Sequence, residues 1–310
     1  MPLQEGFYFS SDFWRWVKEN SFKYDLLFCE TLRTALYAIE IKKPKVIDFI
    51  ESLSLKYKRA QKYVPFFWKA IYSIEIPRLI RREKELIQSF DKIFVSSFPD
   101  KKFIAKNSSK IEILPNGVKE ILLNENFSSK KEKEIISFFG KMNYLPNEDA
   151  VLFFSKKIFP ILKEKFPSLK FYIIGSFPTK KIKKLQKDSS IVVTGYLKNP
   201  YTLLSQSKVV LGTLRFGAGI QNKVLEAMAL GKALVVSPIV ASGIEKARER
   251  KHFLVEDPMN ISSLLKAFEF LLKNPKKRKE MGEKARKLVK ENYTWQKVEE
   301  KIFKILDSLL

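Results

Sequence analysis

A lysine and a glutamate three positions apart, Lys223 and Glu226, follow a glycine loop, Gly217-Ala218-Gly219, in the segment KVVLGTLRFGAGIQNKVLEAMALG. On a helix that spacing puts both side chains on one face. Glycines let a backbone approach an anion closely, and the free N–H groups of a helix start point toward it. A cation there can hold a diphosphate. A carboxylate one turn on can accept both hydroxyls of a ribose. The combination reads as a nucleoside-diphosphate site. The alternative is plainer: glycines also serve tight turns, and an exposed Lys–Glu pair on a helix makes only a weak ion pair.

Positioning such residues takes a strand, a loop and a helix. Residues 209–211 are apolar, 223–230 favour helix, Gly231 closes it, and a second apolar run, ALVVS, follows. The same alternation runs along the chain and predicts an α/β fold of parallel sheets built from βαβ units. In the first part DLLFC, KVIDFI, KIFVSS and KIEIL read as strands, with helices around 11–19, 31–40 and 67–90. In the second part EIISFFG, KFYIIG, SIVVTGYL, KVVLGTL, KALVVS and HFLVE read as strands, with helices around 149–165, 200–207, 222–230 and 260–273. The polar, lysine-rich stretch 124–134 sets the boundary, giving domains over 1–123 and 124–293.

Composition narrows the function. With 310 residues the chain suits two domains of ordinary size. No apolar run reaches the roughly eighteen residues of a membrane span, and the start lacks the layout of a signal peptide. The single cysteine, Cys29, excludes an internal disulfide framework, fits a reducing cytoplasm and reads as a buried strand residue. The single histidine, His252, leaves no histidine-rich metal site or triad to build elsewhere, and it reads as structural. A net charge of +24 admits three readings: nucleic acid, an anionic membrane surface, or a lysine-rich surface suited to heat. The lysine runs at 180–187 and 273–290 sit at helical spacing, as solvated faces do. No nucleic-acid motif accompanies them. The expectation is a cytoplasmic protein in peripheral contact with the anionic inner face of a membrane, with no nucleic-acid partner.

The ordered motifs resemble retaining glycosyltransferases of family 4 (group 1), whose GT-B architecture sets two Rossmann-like domains about a cleft. The loop-and-helix segment above is similar to that family's C-terminal nucleotide-sugar site. IISFFGKMNYLPNEDAV resembles the first strand and loop of its C-terminal domain, and ILPNGV the segment entering it. FYIIG, VTGYL and the tail from HFLVEDP through YTW follow in the same order. Similarity to the subgroup associated with bacterial exopolysaccharide clusters covers nearly the whole chain. The resemblance implies transfer of a sugar, with retention, from a nucleotide-diphosphate sugar to a saccharide or lipid-linked acceptor in polysaccharide or cell-envelope biosynthesis. It implies no cofactor and no metal, and a last helix, 294–310, that crosses back onto the first domain.

Two departures bear on activity. Family members usually begin with a strand and a glycine-rich loop, whereas this chain opens near the helix SSDFWRWVKEN. The N-terminal domain is therefore expected to be incomplete, through truncation or loss of part of the acceptor side. The first glutamate of the family's E-x7-E pattern falls at Ala218, while Glu226 matches the second. A catalytically weakened GT-B protein that still holds a nucleotide, in a binding or assembly role, is the alternative to an active hexosyltransferase.

Breaking an anomeric C–O bond as a diphosphate leaves puts charge on the diphosphate, and fixed cations aimed there lower the barrier. Lys223, Arg215 and Lys141 are the candidates for that catalytic role. The resemblance gives Glu226 the nucleotide ribose. With Ala218 in place of a glutamate, the donor sugar is left to the backbone N–H groups of Gly217, Ala218 and Gly219 or to other side chains. Asn143, Tyr144 and Asn147 face the donor if the resemblance holds, and Tyr196 and Leu197 fall where the base would lie. On the acceptor side Glu30, Asp48 and Ser52 sit at strand ends, where open α/β sheets place ligands. Such residues also cap the next helix.

Overall fold

The computed structural model describes residues 1–123, 127 and 131–310. It has two compact units: Met1–Asn116 with Phe216–Ile220 and Val298–Leu310, and Gly117–Arg215 with Gln221–Lys297. Residue 124, where the sequence reading sets its boundary, lies outside the described residues. The chain leaves the first unit ahead of it, at Asn116.

The first unit carries a parallel sheet of β1 (Leu27–Glu30), β2 (Lys45–Asp48), β3 (Lys92–Val95) and β4 (Ile111–Ile113), in the order β1-β2-β3-β4. Alternation along the strands fills two faces. Ile47, Ile93 and Val95 join Leu79, Leu86 and Phe90 of the neighbouring helical segment in one core. Val46 and Phe94 point the other way, onto Val298, Ile302, Ile305 and Leu306 of the last helix. Lys45 sits at the start of β2, where its buried Nζ donates to the carbonyls of Ala38, Ile39 and Ile41 at 3.1, 2.9 and 2.6 Å. That cation satisfies carbonyls left open where the Ala35–Ala38 helix ends.

The second unit carries β5 (Ile135–Phe139), β6 (Lys170–Ile174), β7 (Ile191–Gly195), β8 (Val209–Gly212), β9 (Ala233–Val236) and β10 (Leu254–Val255). All pair in parallel, in the order β10-β9-β8-β5-β6-β7. β8 and β9 are buried at every position, as strands covered on both faces must be. Phe154 fills the centre on one side, its ring 4.8 Å from Phe171 and 5.1 Å from Phe268. The expected helix over 149–165 is interrupted. Pro160 lacks an N–H, and the chain widens into a π turn at Phe154–Ile158 between the helices Leu145–Phe153 and Phe159–Lys165. All ten strands expected from the sequence are present.

Candidate functional site

Strand order reverses at β5. β6 and β7 extend to one side of it, and β8, β9 and β10 to the other. Loops leaving the carboxyl ends of two such strands diverge and open a crevice, the place where open α/β sheets take ligands. The loop after β5 carries Lys141, Asn143 and Tyr144 and leads into the helix bearing Asn147, and the loop after β8 carries Arg215. The reversal therefore brings these residues to one crevice from two distant stretches of chain.

Glycine shapes the β5 exit. Gly140 has φ +149°, and a Cβ there would stand 2.9 Å from Asn147 Nδ2 and 3.7 Å from Lys223 Cδ. The missing side chain leaves room for this pair. Asn147 is 3% exposed. Its amide donates to Lys141 O at 2.9 Å, and its carbonyl oxygen accepts from Lys223 Nζ. The ammonium also lies 5.1 Å from the centroid of Phe138. Lys223 opens the helix Asn222–Ala229 and Glu226 lies one turn on, so both sit on one face as the spacing predicts. Burial pushes Lys223 down to about 7, against the pull of the nearby Glu226. Burial pushes Glu226 up to about 7, opposed by Lys119, the Tyr201 hydroxyl and Lys223. Both groups thus change charge near neutrality, as site residues often do.

The other donor-side candidates differ in their surroundings. Arg215 holds Asp149 in a two-pronged ion pair, with Nε donating to Oδ2 at 2.7 Å and NH2 to Oδ1, and its guanidinium lies 4.9 Å from the Phe153 ring centroid. Its charge is largely matched before any ligand arrives. Lys141 is exposed, 5.3 Å from the ring centroid of Phe177. Asn143 is exposed and Tyr144 half-buried. Tyr196 is 77% exposed beyond the end of β7, with Leu197 half-buried beside it. Tyr196 is open to a base, whereas it makes little core contact.

The glycine loop is engaged within the first unit. Gly219 N–H donates to Asp100 Oδ2 at 3.1 Å and Ile220 N–H to Ser96 Oγ at 3.1 Å. Arg59 donates to Gly217 O at 2.9 Å, and Phe216 stacks on Tyr63 with centroids 4.6 Å apart. Gly219 requires glycine, since φ is +66° and a Cβ would stand 3.0 Å from Ser96 Oγ. Ala218 is buried. The N–H groups of Gly219 and Ile220 therefore already have acceptors in this structure.

On the acceptor side, Glu30 and Asp48 are register partners at the carboxyl ends of β1 and β2. Burial pushes Asp48 up to about 6, and the like charge of Glu30 adds to the shift, while the Ile50 N–H bond opposes it. Ser52 is fully buried and has structural duties: its Oγ accepts from Leu55 N–H as the cap of the Leu53–Ala60 helix and donates to Glu83 at 3.1 Å. His252 is buried, its Nδ1 accepting from Arg248 N–H at 2.8 Å. Cys29 is buried and its thiol is pushed up to about 11, which leaves it unreactive.

Residues 133–274 match the family model described as glycosyl transferases group 1. This stretch, under half of the chain, resembles a group 1 glycosyltransferase domain. An uncharacterized glycosyltransferase of Methanocaldococcus jannaschii is 23% identical, over 97% of this chain and 80% of that protein. Sucrose-phosphate synthase from Thermosynechococcus elongatus superposes with a TM-score of 0.75 at 13% identity, over 96% of this chain and 77% of that one. Anabaena HepE, solved in complex with UDP and glucose, gives 0.74 at 12% identity, over 96% of this chain and 82% of that one. The fold is GT-B: two α/β units, each with a parallel sheet.

The second unit also holds residues that sequence reasoning did not single out. Tyr201 and Lys119 act on Glu226, and Asp149 holds Arg215. Tyr201 begins a four-residue helix after β7 and Lys119 lies just inside the start of the second unit, so no local spacing ties either to Glu226. In the first unit Asp100, Ser96 and Arg59 were likewise silent, because each meets the glycine loop across more than a hundred residues of chain.

Proposed function

We propose that the chain transfers a sugar, with retention, from a nucleotide-diphosphate sugar to a saccharide or lipid-linked acceptor in polysaccharide or cell-envelope biosynthesis. The observation that carries this reading is the Lys223–Asn147 contact beside Glu226, at the reversal of strand order in the stretch that resembles a group 1 glycosyltransferase domain. Lys223 takes the diphosphate, oriented by Asn147. Lys141 adds positive potential, while Asp149 offsets most of that of Arg215, so side-chain cations rather than a metal meet the leaving charge. Glu226 accepts the ribose hydroxyls, and Tyr196 and Leu197 border the base. The UDP complex of HepE supports UDP as the first nucleotide to try. Incubation with UDP-sugars and simple saccharide acceptors is expected to release UDP and give a product with the donor's anomeric configuration. Inversion would overturn the mechanism. UDP binding without turnover on any donor would favour the second reading, a weakened nucleotide-binding protein, which Ala218 in place of a glutamate supports.

We place the protein in the cytoplasm, in peripheral contact with a membrane. No helix among the described residues is long and apolar enough to cross one. The helix Ser11–Asn20 has no buried residue, and Phe13 and Trp16 are 47% and 49% exposed on a chain of net charge +24. Aromatic rings among cations suit a lipid interface, where each nearby lysine or arginine contributes roughly 1 kcal/mol on an anionic leaflet. Co-sedimentation with anionic vesicles is expected to fall steeply with salt and to be slight with neutral ones. Equal binding to both would assign the charge to solubility.

A further inference from the structure

We infer that the acceptor is an amphiphile, with a hydroxylated head on Glu30 and Asp48 and an apolar aglycone in the cavity between the helix Ser11–Asn20 and the edge strand β1. The inference rests on the glycosyltransferase reading and names the acceptor class within it.

The cavity measures about 310 Å³, and Phe13, Trp16, Tyr24, Phe28 and Tyr37 line it. Among the described residues β1 pairs with β2 alone, so the cavity sits at the sheet edge. Phe28 is 46% exposed there, and Phe13, 47% exposed, makes a T-shaped contact with Tyr37 at 4.7 Å and stacks on Trp16 at 6.0 Å. Five aromatic side chains around unfilled space form a surface that an apolar group of matching size would cover. Cys29 is the thiol in the lining, and its burial keeps it neutral and apolar.

One ionisable carboxylate opens onto this space, Glu30. Its register partner Asp48 extends the polar patch along the strand ends. Both carboxylates accept hydrogen bonds, and the two residues lie side by side at neighbouring strand ends, so they suit a ligand with several donors. Sugar hydroxyls are such donors. The backbone beside the pair is held in an uncommon form. Thr31, after β1, has φ +63° and ψ 160°, and Ile50, after β2, has φ +64°. Non-glycine residues adopt such angles at a cost, and they gather where a structure holds a ligand. Thr31 N–H donates to the main-chain Asp48 O at 2.7 Å and Ile50 N–H to Asp48 Oδ1 at 2.7 Å, so one strained residue ties the backbone of Asp48 and the other braces its carboxylate. A polar patch of two carboxylates running into an aromatic cavity matches a molecule with a hydroxylated head and one apolar tail.

The test is a chain-length series. Glucose and its butyl, hexyl and octyl β-glucosides, all below micellar concentration, would be titrated while tryptophan emission is followed, Trp16 being in the lining. Glucose alone is expected to leave the emission unchanged. Each added methylene is expected to tighten binding about fourfold until the cavity is full. Ala38→Phe, which fills the buried end of the lining, should abolish octyl glucoside binding. Phe28→Ala, at a half-exposed wall position that folding tolerates, should weaken it at least about tenfold. Glu30→Gln should weaken every member of the series by a similar factor, leaving the chain-length slope as it was. UDP affinity read on Ala38→Phe and Phe28→Ala reports whether each variant folds, and absence of UDP binding in the native protein would sink the nucleotide reading, and with it the acceptor role, while the glucoside series still reports the cavity. Affinity independent of chain length would overturn the inference, as would unchanged octyl glucoside binding in all three variants. Binding to lipid vesicles with none to the monomeric glucosides would overturn it as well, giving this face to a leaflet.

Discussion

Lys223→Met is expected to lower the rate of sugar transfer about 10²–10³-fold, the scale for removing one preorganised group that meets developing charge. Folding should survive, because the change replaces a desolvated cation with an apolar chain of similar length beside Phe138. The same residue predicts a proton signature. At pH 8 the free Lys223, pushed down to about 7, is mostly neutral, and a bound diphosphate requires the ammonium. Binding then takes up a proton. At pH 6 the free Glu226, pushed up to about 7, is mostly protonated, and a ribose that donates two hydroxyls requires the carboxylate. Binding then releases a proton. Calorimetry in buffers of differing ionisation enthalpy should show proton exchange changing sign near pH 7. Lys223→Met should lose the uptake limb and Glu226→Gln the release limb. Proton exchange of one sign from pH 6 to 8 would remove at least one of the two residues from the ligand.

Gly175→Ala is expected to cost about 3 kcal/mol or more and lower the melting temperature by about 10 °C. Gly175 ends β6 with φ +150°, and a Cβ there would lie 1.8 Å from Gly140 O and 2.8 Å from Gly140 C. Those atoms are backbone at the end of β5, so no side chain can swing aside. The strand ends would have to part where Gly140 N–H donates to Ile174 O at 3.0 Å, next to the crevice that holds Asn147 and Lys223. Gly195→Ala is the matched control. Its φ of +67° also disfavours a side chain, but nothing lies within 4 Å of the new Cβ, so the cost should stay near 1 kcal/mol. Equal losses for the two variants, by thermal melting, would show that backbone angle alone sets the requirement and that the close approach of β5 and β6 does not.

The strands were legible because each is a short apolar run rich in branched or aromatic residues, bounded by polar or glycine-containing turns, as in KVVLG before the glycine loop. Helices were read less well. The stretch 31–40 yields only the turn Leu32–Thr34 and the helix Ala35–Ala38, because Lys45 draws the following carbonyls away from a helical ladder. The helix Leu53–Ala60 went unmarked although Ser52 caps it, since its short run shows little apolar periodicity beside the strand before it. In the site, Lys223 and Glu226 were legible because three positions on a helix fix a shared face. Asn147 was legible through the loop after β5, but its grip on Lys223 was not, for the two are joined only when β5 and β8 pair. The glycine loop was read as a row of free donors. Asp100 occupies one of those donors, Gly219 N–H, and Ser96 the next N–H along, that of Ile220, and no local pattern announces a partner so distant in the chain.

The central claim is that this chain holds a nucleoside diphosphate on Lys223 and Glu226, and calorimetric titration with UDP of the native protein and of Glu226→Ala tests it most directly. The native protein is expected to bind one UDP per chain, and Glu226→Ala to bind it more weakly by about 1–3 kcal/mol, the scale for a charged hydrogen bond left unmade. Native binding that Glu226→Ala leaves unchanged would contradict the account, placing the nucleotide elsewhere.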